Sequence, residues 1–112
     1  PAGAVPLGLK QNVHTGGAGI RTTISGTEPR EYDIVIEKAD WGSTGTKNMV
    51  IRITDPELLE TTGGIVQGMS GSPILQDGQL IGAVTHVFVS DPTRGYGIFA
   101  ENMYEYSAET GG

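Results

Sequence analysis

Apolar and polar residues alternate with a period of two along much of the chain, which is the pattern of half-buried β-strands. The clearest runs are Ile20–Ile24, Tyr32–Ile36 and Met49–Ile53, whose alternate positions are apolar except for Thr22. Residues 26–29 include glycine and proline, so the first two runs are predicted to pair as a hairpin. A less regular run over residues 5–11 predicts one further strand.

One segment has the signature of a helix. Asp55 is a good N-cap residue, Pro56 suits the first helical position, Glu57 places an acid in the first turn, and 63-GG-64 favours a stop. The pattern therefore predicts a short helix between the third strand and the glycine-rich segment that follows.

The remainder of the chain returns to the strand pattern. Strands over 72–76 and 79–89 are predicted to form a hairpin, because Asp77-Gly78 favours a two-residue turn. A last strand is predicted over 96–100, and a short C-terminal helix is predicted to begin within 101–106. The 18 glycines and six prolines among 112 residues favour short strands and many turns. We therefore expect one domain with an all-β, mostly antiparallel fold.

Charge and composition exclude several classes of function. Thirteen acidic and seven basic residues give a net charge of -6, which opposes binding to nucleic acid or to an anionic membrane. The absence of cysteine excludes a disulfide framework and a thiolate metal site, and no cofactor or metal is expected. No apolar run approaches the roughly 18 residues of a membrane span, and no signal-peptide pattern begins the chain. The glycine-rich segment near residue 70 is left as the candidate for chemistry.

Glycine surrounds one serine in the segment 68-GMSGSP-73. A serine that attacks a carbonyl needs convergent backbone amides to hold the oxyanion, and glycine lets the chain turn tightly enough to provide them. The amides of Gly68 and Ser70 have the spacing for this role. The segment is not a Gly-x-Ser-x-Gly elbow, because Ser72 replaces the second glycine, and no lysine follows as in a phosphate loop. A structural turn rich in glycine and serine is the alternative.

The match to a known pattern extends beyond this segment. Together with 80-LIGAVTHV-87 and 95-GYGIF-99, it resembles the nucleophile half of chymotrypsin-like serine proteases. More closely, the stretches 53-ITD-55, 63-GGIVQGMSGSP-73 and 91-DPTRGYG-97 resemble the stage IV sporulation protein B peptidases, over about residues 30–103.

The resemblance implies a fold and a biological role. It implies that residues 1–112 form the C-terminal, nucleophile-bearing part of such a peptidase domain, with a chymotrypsin-like β-barrel. The family implies a serine endopeptidase of endospore-forming bacteria that works between the two membranes around the forespore. There it would cleave a regulatory protein and so trigger activation of a late sigma factor.

The resemblance also assigns roles to individual residues. Ser70 corresponds to the nucleophile, Gly68 and Ser70 to the oxyanion hole, and Asp55, 15 residues before Ser70, to the triad acid. Asp55 has a second interpretation, since an aspartate before Pro-Glu-Leu-Leu is an ideal helix N-cap. Ser72 is interpreted as structural.

Four further residues correspond to substrate-contacting positions. Gly64 corresponds to the floor of a specificity pocket, and a strand along the substrate would contain Thr85, His86 and Val87. Because position 64 is not acidic, a preference for Lys or Arg is not supported. Small or modest apolar side chains are expected instead.

The catalytic base is the missing part of this assignment. Nothing before Ser70 matches the Gly-His motif that carries it in the family. His14 is expected in a solvated turn and His86 on a wall of the substrate site. We expect the base to come from the upstream half of the domain, and the isolated chain to be inactive and to associate with itself or with that half. The alternative is a noncatalytic β module that binds an extended peptide along a strand edge.

Overall fold

The structure is a computed structural model that describes residues 5–24, 26 and 28–103. Six antiparallel strands close into a barrel in the order β1-β2-β3-β6-β5-β4. The strands are β1 (Gly16–Thr22), β2 (Arg30–Ala39), β3 (Met49–Ile53), β4 (Pro73–Gln76), β5 (Gln79–Val87) and β6 (Arg94–Phe99). The described chain also contains the helix α1 (Pro56–Thr62) and 3₁₀-helices at Lys10–Asn12 and Gln67–Met69. The expected all-β, antiparallel barrel is confirmed.

The inward positions of the strands fill the barrel. Its buried side chains include Ile20, Ile34, Ile36, Ile51, Ile74 and Phe99, each of which is fully buried. Four of them, Ile20, Ile34, Ile36 and Ile51, occupy alternate positions that the sequence pattern marked as apolar, because side chains of a strand point to its two faces in turn. Burial of this set provides the main driving force for closing the barrel.

The N-terminal part of the chain differs from the prediction. Residues 5–11 do not form a strand: Leu7 makes a single bridge to Leu80, and a 3₁₀-helix begins at Lys10. Pro6 has no amide hydrogen to donate to a sheet, which limits regular pairing here. Conversely, β1 begins at Gly16, earlier than predicted, because its glycines hide the strand from a search for apolar residues.

The helix and the second hairpin agree closely with the sequence. Helix α1 follows Asp55 and ends at Thr62. Gly63 caps its C-terminus with a φ of 75°, and the Gly63 amide donates a hydrogen bond to the Leu59 carbonyl at 2.8 Å. Asp77 and Gly78 have φ values of 53° and 74° between β4 and β5. Strand β5 ends at Val87, two residues before the predicted end.

The last described residues begin the expected C-terminal helix. Residues 100–103 are helical, and residues 104–106 of the predicted helix lie outside the described residues. The structure shows, within its described part, no helix that is both long and apolar enough to cross a membrane.

Candidate active site

The turn that carries Ser70 is fixed on both sides. Before it, Met69 is buried at the end of the 3₁₀-helix with 2% of its surface exposed. After it, the amide of Gly71 donates to the Val84 carbonyl at 2.8 Å, and the amide of Val84 donates to the Ser72 carbonyl at 3.0 Å. Ser70 is thus held between a buried anchor and the edge of β5, while its own side chain remains on the surface.

The hydroxyl of Ser70 has only a weak protein partner. It donates to the carbonyl of Thr85 at 3.4 Å, near the limit of a hydrogen bond. It lies at a mainly apolar pocket of about 380 Å³. The pocket is lined by Thr46, Ser70, Gly71, Ala83, Val84, Thr85, His86, Ile98 and Met103. An exposed, weakly bonded hydroxyl beside an apolar pocket is accessible to a substrate, as a nucleophile must be.

The amide of Ser70 is engaged within the turn. It donates to the carbonyl of Gln67 at 3.2 Å, which closes the 3₁₀-helix. The predicted pair of convergent amides from Gly68 and Ser70 is therefore not assembled in this conformation. The sequence pattern contained no signal for this 3₁₀-helix.

Asp55 forms the N-cap of α1 and also bonds to β2. Its Oδ1 accepts from the amides of Glu57 at 3.0 Å and Leu58 at 3.4 Å, and its Oδ2 accepts from the amide of Asp33 at 3.0 Å. These bonds, led by the one from Asp33, hold the pKa of the Asp55 carboxyl below its ordinary value. A carboxylate accepts about four hydrogen bonds, so one acceptor position remains on Oδ2.

The four predicted substrate-contacting residues fall into two groups. Thr85 and His86 line the Ser70 pocket, and Val87 follows them on the same strand with 39% of its surface exposed. Gly64 is not among the residues that line this pocket. It is buried at a φ of 139°, and a side chain there would collide with the carbonyl oxygen of Pro92. In this structure the glycine at 64 is explained by that close backbone contact.

A family model described as SpoIVB peptidase S55 matches residues 2–104. The chain belongs to this peptidase family. Membership makes it a serine peptidase domain of the SpoIVB type, that is, a hydrolase. Neither a curated protein nor a solved structure matches the chain.

In a serine peptidase a histidine accepts the proton of the nucleophilic serine, so the positions of the two histidines relative to Ser70 are important. His14 bonds through Nε2 to Asp77 at 2.8 Å and through Nδ1 to the Thr15 carbonyl at 2.9 Å. His86 Nε2 bonds to Thr46 Oγ1 at 3.2 Å. Over residues 5–24, 26 and 28–103, neither histidine is hydrogen-bonded to Ser70, although His86 and Ser70 line one pocket.

Two pockets larger than the Ser70 pocket lie elsewhere on the described surface. A groove of about 600 Å³ lies over β1, β2 and the β4–β5 turn, and none of the candidate residues lines it. A pocket of about 440 Å³ is lined in part by His86 and Val87, two of the predicted substrate-contacting residues. We favour the Ser70 pocket because it holds the exposed serine of a peptidase family. The described residues contain no group of three or more His, Cys, Asp or Glu that could hold a metal ion.

Sequence reasoning missed five residues of the Ser70 pocket: Thr46, Ala83, Val84, Ile98 and Met103. Ala83 was within reach of the pattern, since it alternates with Thr85 on β5 and so shares its face over a regular strand. Thr46 and Met103 come from a loop and the C-terminal helical turn, and only folding brings them beside Ser70. No local pattern marks them.

Proposed function

We propose that the chain is the nucleophile-bearing part of a serine endopeptidase, with Ser70 attacking the scissile carbonyl of an extended peptide. The observation that carries the proposal is the exposed Ser70 hydroxyl, beside an apolar pocket and held by a single 3.4 Å bond. The family match supports the same reaction class.

The substrate is proposed to align along β5. This strand pairs with β4 up to Ala83, whereas its pairing with β6 continues to Val87. Over Thr85–Val87 its other edge therefore has no strand partner in the part of the chain that the structure describes. A peptide added there would run past Ser70, with main-chain hydrogen bonds providing affinity.

The base is proposed to come from the upstream half of the domain. The pocket beside Ser70 presents the apolar side chains of Ala83, Ile98 and Met103, which suit a docking protein segment rather than water. An imidazole delivered there would accept the proton of Ser70 Oγ as it attacks. The isolated chain is accordingly proposed to be inactive and to associate with that half or with itself.

Asp55 is proposed as the triad acid in addition to its role as a cap. Its lowered pKa keeps the carboxylate ionised, and Oδ2 retains an acceptor position for an imidazole N–H. Such a carboxylate orients the histidine and stabilises its charged form without taking the proton. Gly64 is retained as a proposed floor position of the specificity pocket, which would require this region to rearrange when substrate binds.

The resemblance to the family also suggests a cellular role. We propose cleavage of a regulatory protein in the space around the forespore, which leads to late sigma factor activation. No cofactor is invoked, because the proposed reaction needs only a hydroxyl, a base and amide donors.

Serine-directed fluorophosphonate labelling tests this function. We expect labelling of Ser70 in the protein that includes the upstream segment, none in residues 1–112 alone, and none after Ser70→Ala. The matched control is Ser72→Ala, which should label like the wild type. Equal labelling of the wild type and Ser70→Ala would contradict the proposal.

A noncatalytic peptide-binding module is the second candidate, and the unpaired edge of β5 favours it. In that case a peptide would bind with unchanged affinity after Ser70→Ala and no cleavage would occur in any form of the protein. Calorimetry with a β-strand peptide, combined with a cleavage assay, separates the two candidates.

A further inference from the structure

The amide of Ser70 determines whether this turn can stabilise an oxyanion. It donates to the Gln67 carbonyl at 3.2 Å and so closes the 3₁₀-helix Gln67–Met69. A tetrahedral intermediate needs donors aimed at the developing oxyanion, and here a carbonyl oxygen already occupies one of them. The turn is closed to an oxyanion in this conformation.

The closed turn does not explain the glycine at position 68. Gly64 and Gly71 have φ values of 139° and 88°, so their backbone conformations explain why they are glycines. Gly68 is different: it is not among the glycines with positive φ, and a Cβ added to it would meet no atom within 4 Å. Nothing in the closed turn requires glycine at position 68.

We propose that the Gln67–Gly68 peptide rotates by about half a turn to open an oxyanion hole at Ser70. The rotation would turn the Gln67 carbonyl away and release the Ser70 amide. It would also bring the Gly68 amide to the side that the carbonyl occupied. The two amides would then converge beside the Ser70 hydroxyl. This inference rests on the proposed peptidase function, and it deepens that function by making the hole conditional on a backbone switch.

The dihedral angles explain why glycine is needed for the open state. In a 3₁₀-helix φ is about -60°, and a half-turn of the preceding peptide brings it to about +120°. Only glycine adopts that region at little cost. The anchors on either side need not move, since Met69 remains buried and the Ile65 amide remains bonded to the Pro92 carbonyl at 2.7 Å.

Amide exchange in residues 1–112 tests the switch without any need for catalysis. Gly68→Ala should favour the closed turn and slow exchange of the Ser70 amide by on the order of 100-fold, because an L-residue is strained at positive φ and alanine stabilises helical turns. Gly68→D-Ala should speed that exchange, because the D-residue prefers positive φ. The D-residue can be introduced by ligation between Gly82 and Ala83 followed by desulfurisation, since the chain has no cysteine.

Gly17→Ala is the matched control, because Gly17 also has open space around its Cβ and no positive φ. It should leave the exchange rate of Ser70 unchanged. If the L- and D-alanine variants shifted this rate in the same direction, or not at all, the proposed switch would be wrong.

Fluorophosphonate labelling of the protein with its upstream segment separates this inference from the proposed function. Gly68→Ala should fold normally and label on the order of 100-fold more slowly, the effect of losing one oxyanion donor. Labelling within threefold of the wild type would overturn the switch while leaving Ser70 as the nucleophile. Absence of labelling in the wild type itself would contradict the peptidase function, and the exchange experiment would still decide whether the turn has two states.

Discussion

Asp55 and Ser70 both lie in turns at the surface of the barrel, but their hydrogen bonding is opposite. The carboxylate of Asp55 accepts three backbone amides at 3.0–3.4 Å and joins α1 to β2. The hydroxyl of Ser70 makes a single bond at 3.4 Å and faces a pocket. A polar group whose bonds are nearly saturated holds structure, whereas one that is weakly bonded remains available to a substrate. When no substrate is bound, Asp55 therefore contributes to the stability of the fold, whereas the Ser70 hydroxyl contributes little to it.

The largest expected effect on peptide turnover comes from removing the weakly bonded hydroxyl of Ser70. In a protein that includes the proposed upstream half of the domain, Ser70→Ala should lower peptide turnover by at least ~10³-fold and up to ~10⁶-fold, the range for a triad serine. The free energy of unfolding measured in urea should change by less than about 0.5 kcal/mol, since the Ser70 side chain is exposed. A large loss of stability with Ser70→Ala would contradict the comparison.

Asp55→Asn tests whether the nearly saturated carboxylate of Asp55 also serves catalysis. Asparagine keeps an acceptor for the amides of α1 but loses the charge that stabilises an imidazolium, so we expect turnover to fall by about 10⁴-fold. The cost in stability should be about 1 kcal/mol, because the amide nitrogen cannot accept from Asp33. Steady-state kinetics and urea unfolding give the two values. Wild-type turnover in this variant would leave Asp55 with the cap role alone.

Asp55→Ala should reduce stability by about 1–2 kcal/mol near neutral pH, since it removes the whole cap. Because folding lowers the pKa of Asp55, its stabilisation is complete above the ordinary value of 3.8 and is lost as pH falls through the folded value. The difference between wild type and variant in urea unfolding should therefore shrink as pH falls below 3.8. A constant difference down to about pH 2 would show that the carboxylate charge has no part in the cap.

His86→Ala is expected to have the smallest effect. The His86 side chain is exposed and bonds to Thr46, so its loss should raise KM by a few-fold with little change in kcat. Fluorophosphonate labelling should stay within about threefold of the wild type. If labelling fell as far as in Ser70→Ala, His86 itself would be the base and no upstream histidine would be needed.

Local chemistry made several features of the fold predictable. Helix α1 was expected from Asp55-Pro56 and Gly63, and the β4–β5 turn from Asp77-Gly78, because caps and tight turns depend on residues adjacent in the chain. The strand predicted over residues 5–11 was wrong. Its alternation of apolar residues was irregular, and Pro6 and Gly8 disfavour strand pairing. For the candidate site, Ser70 was predicted from its surrounding glycines, and Asp55 from the family resemblance and its cap signature.

The sequence by itself determined the strand-rich class, the cap at Asp55 and the peptidase family, since each depends on residue type and short spacing. Only the tertiary structure decided that Gly64 packs against Pro92 and that Thr46, Ile98 and Met103 surround Ser70. It also decided that the Ser70 amide bonds to Gln67, because a glycine-rich turn has several backbone conformations of similar energy. Which of them is adopted depends on anchors from the rest of the barrel, namely buried Met69 and the bonds to Val84.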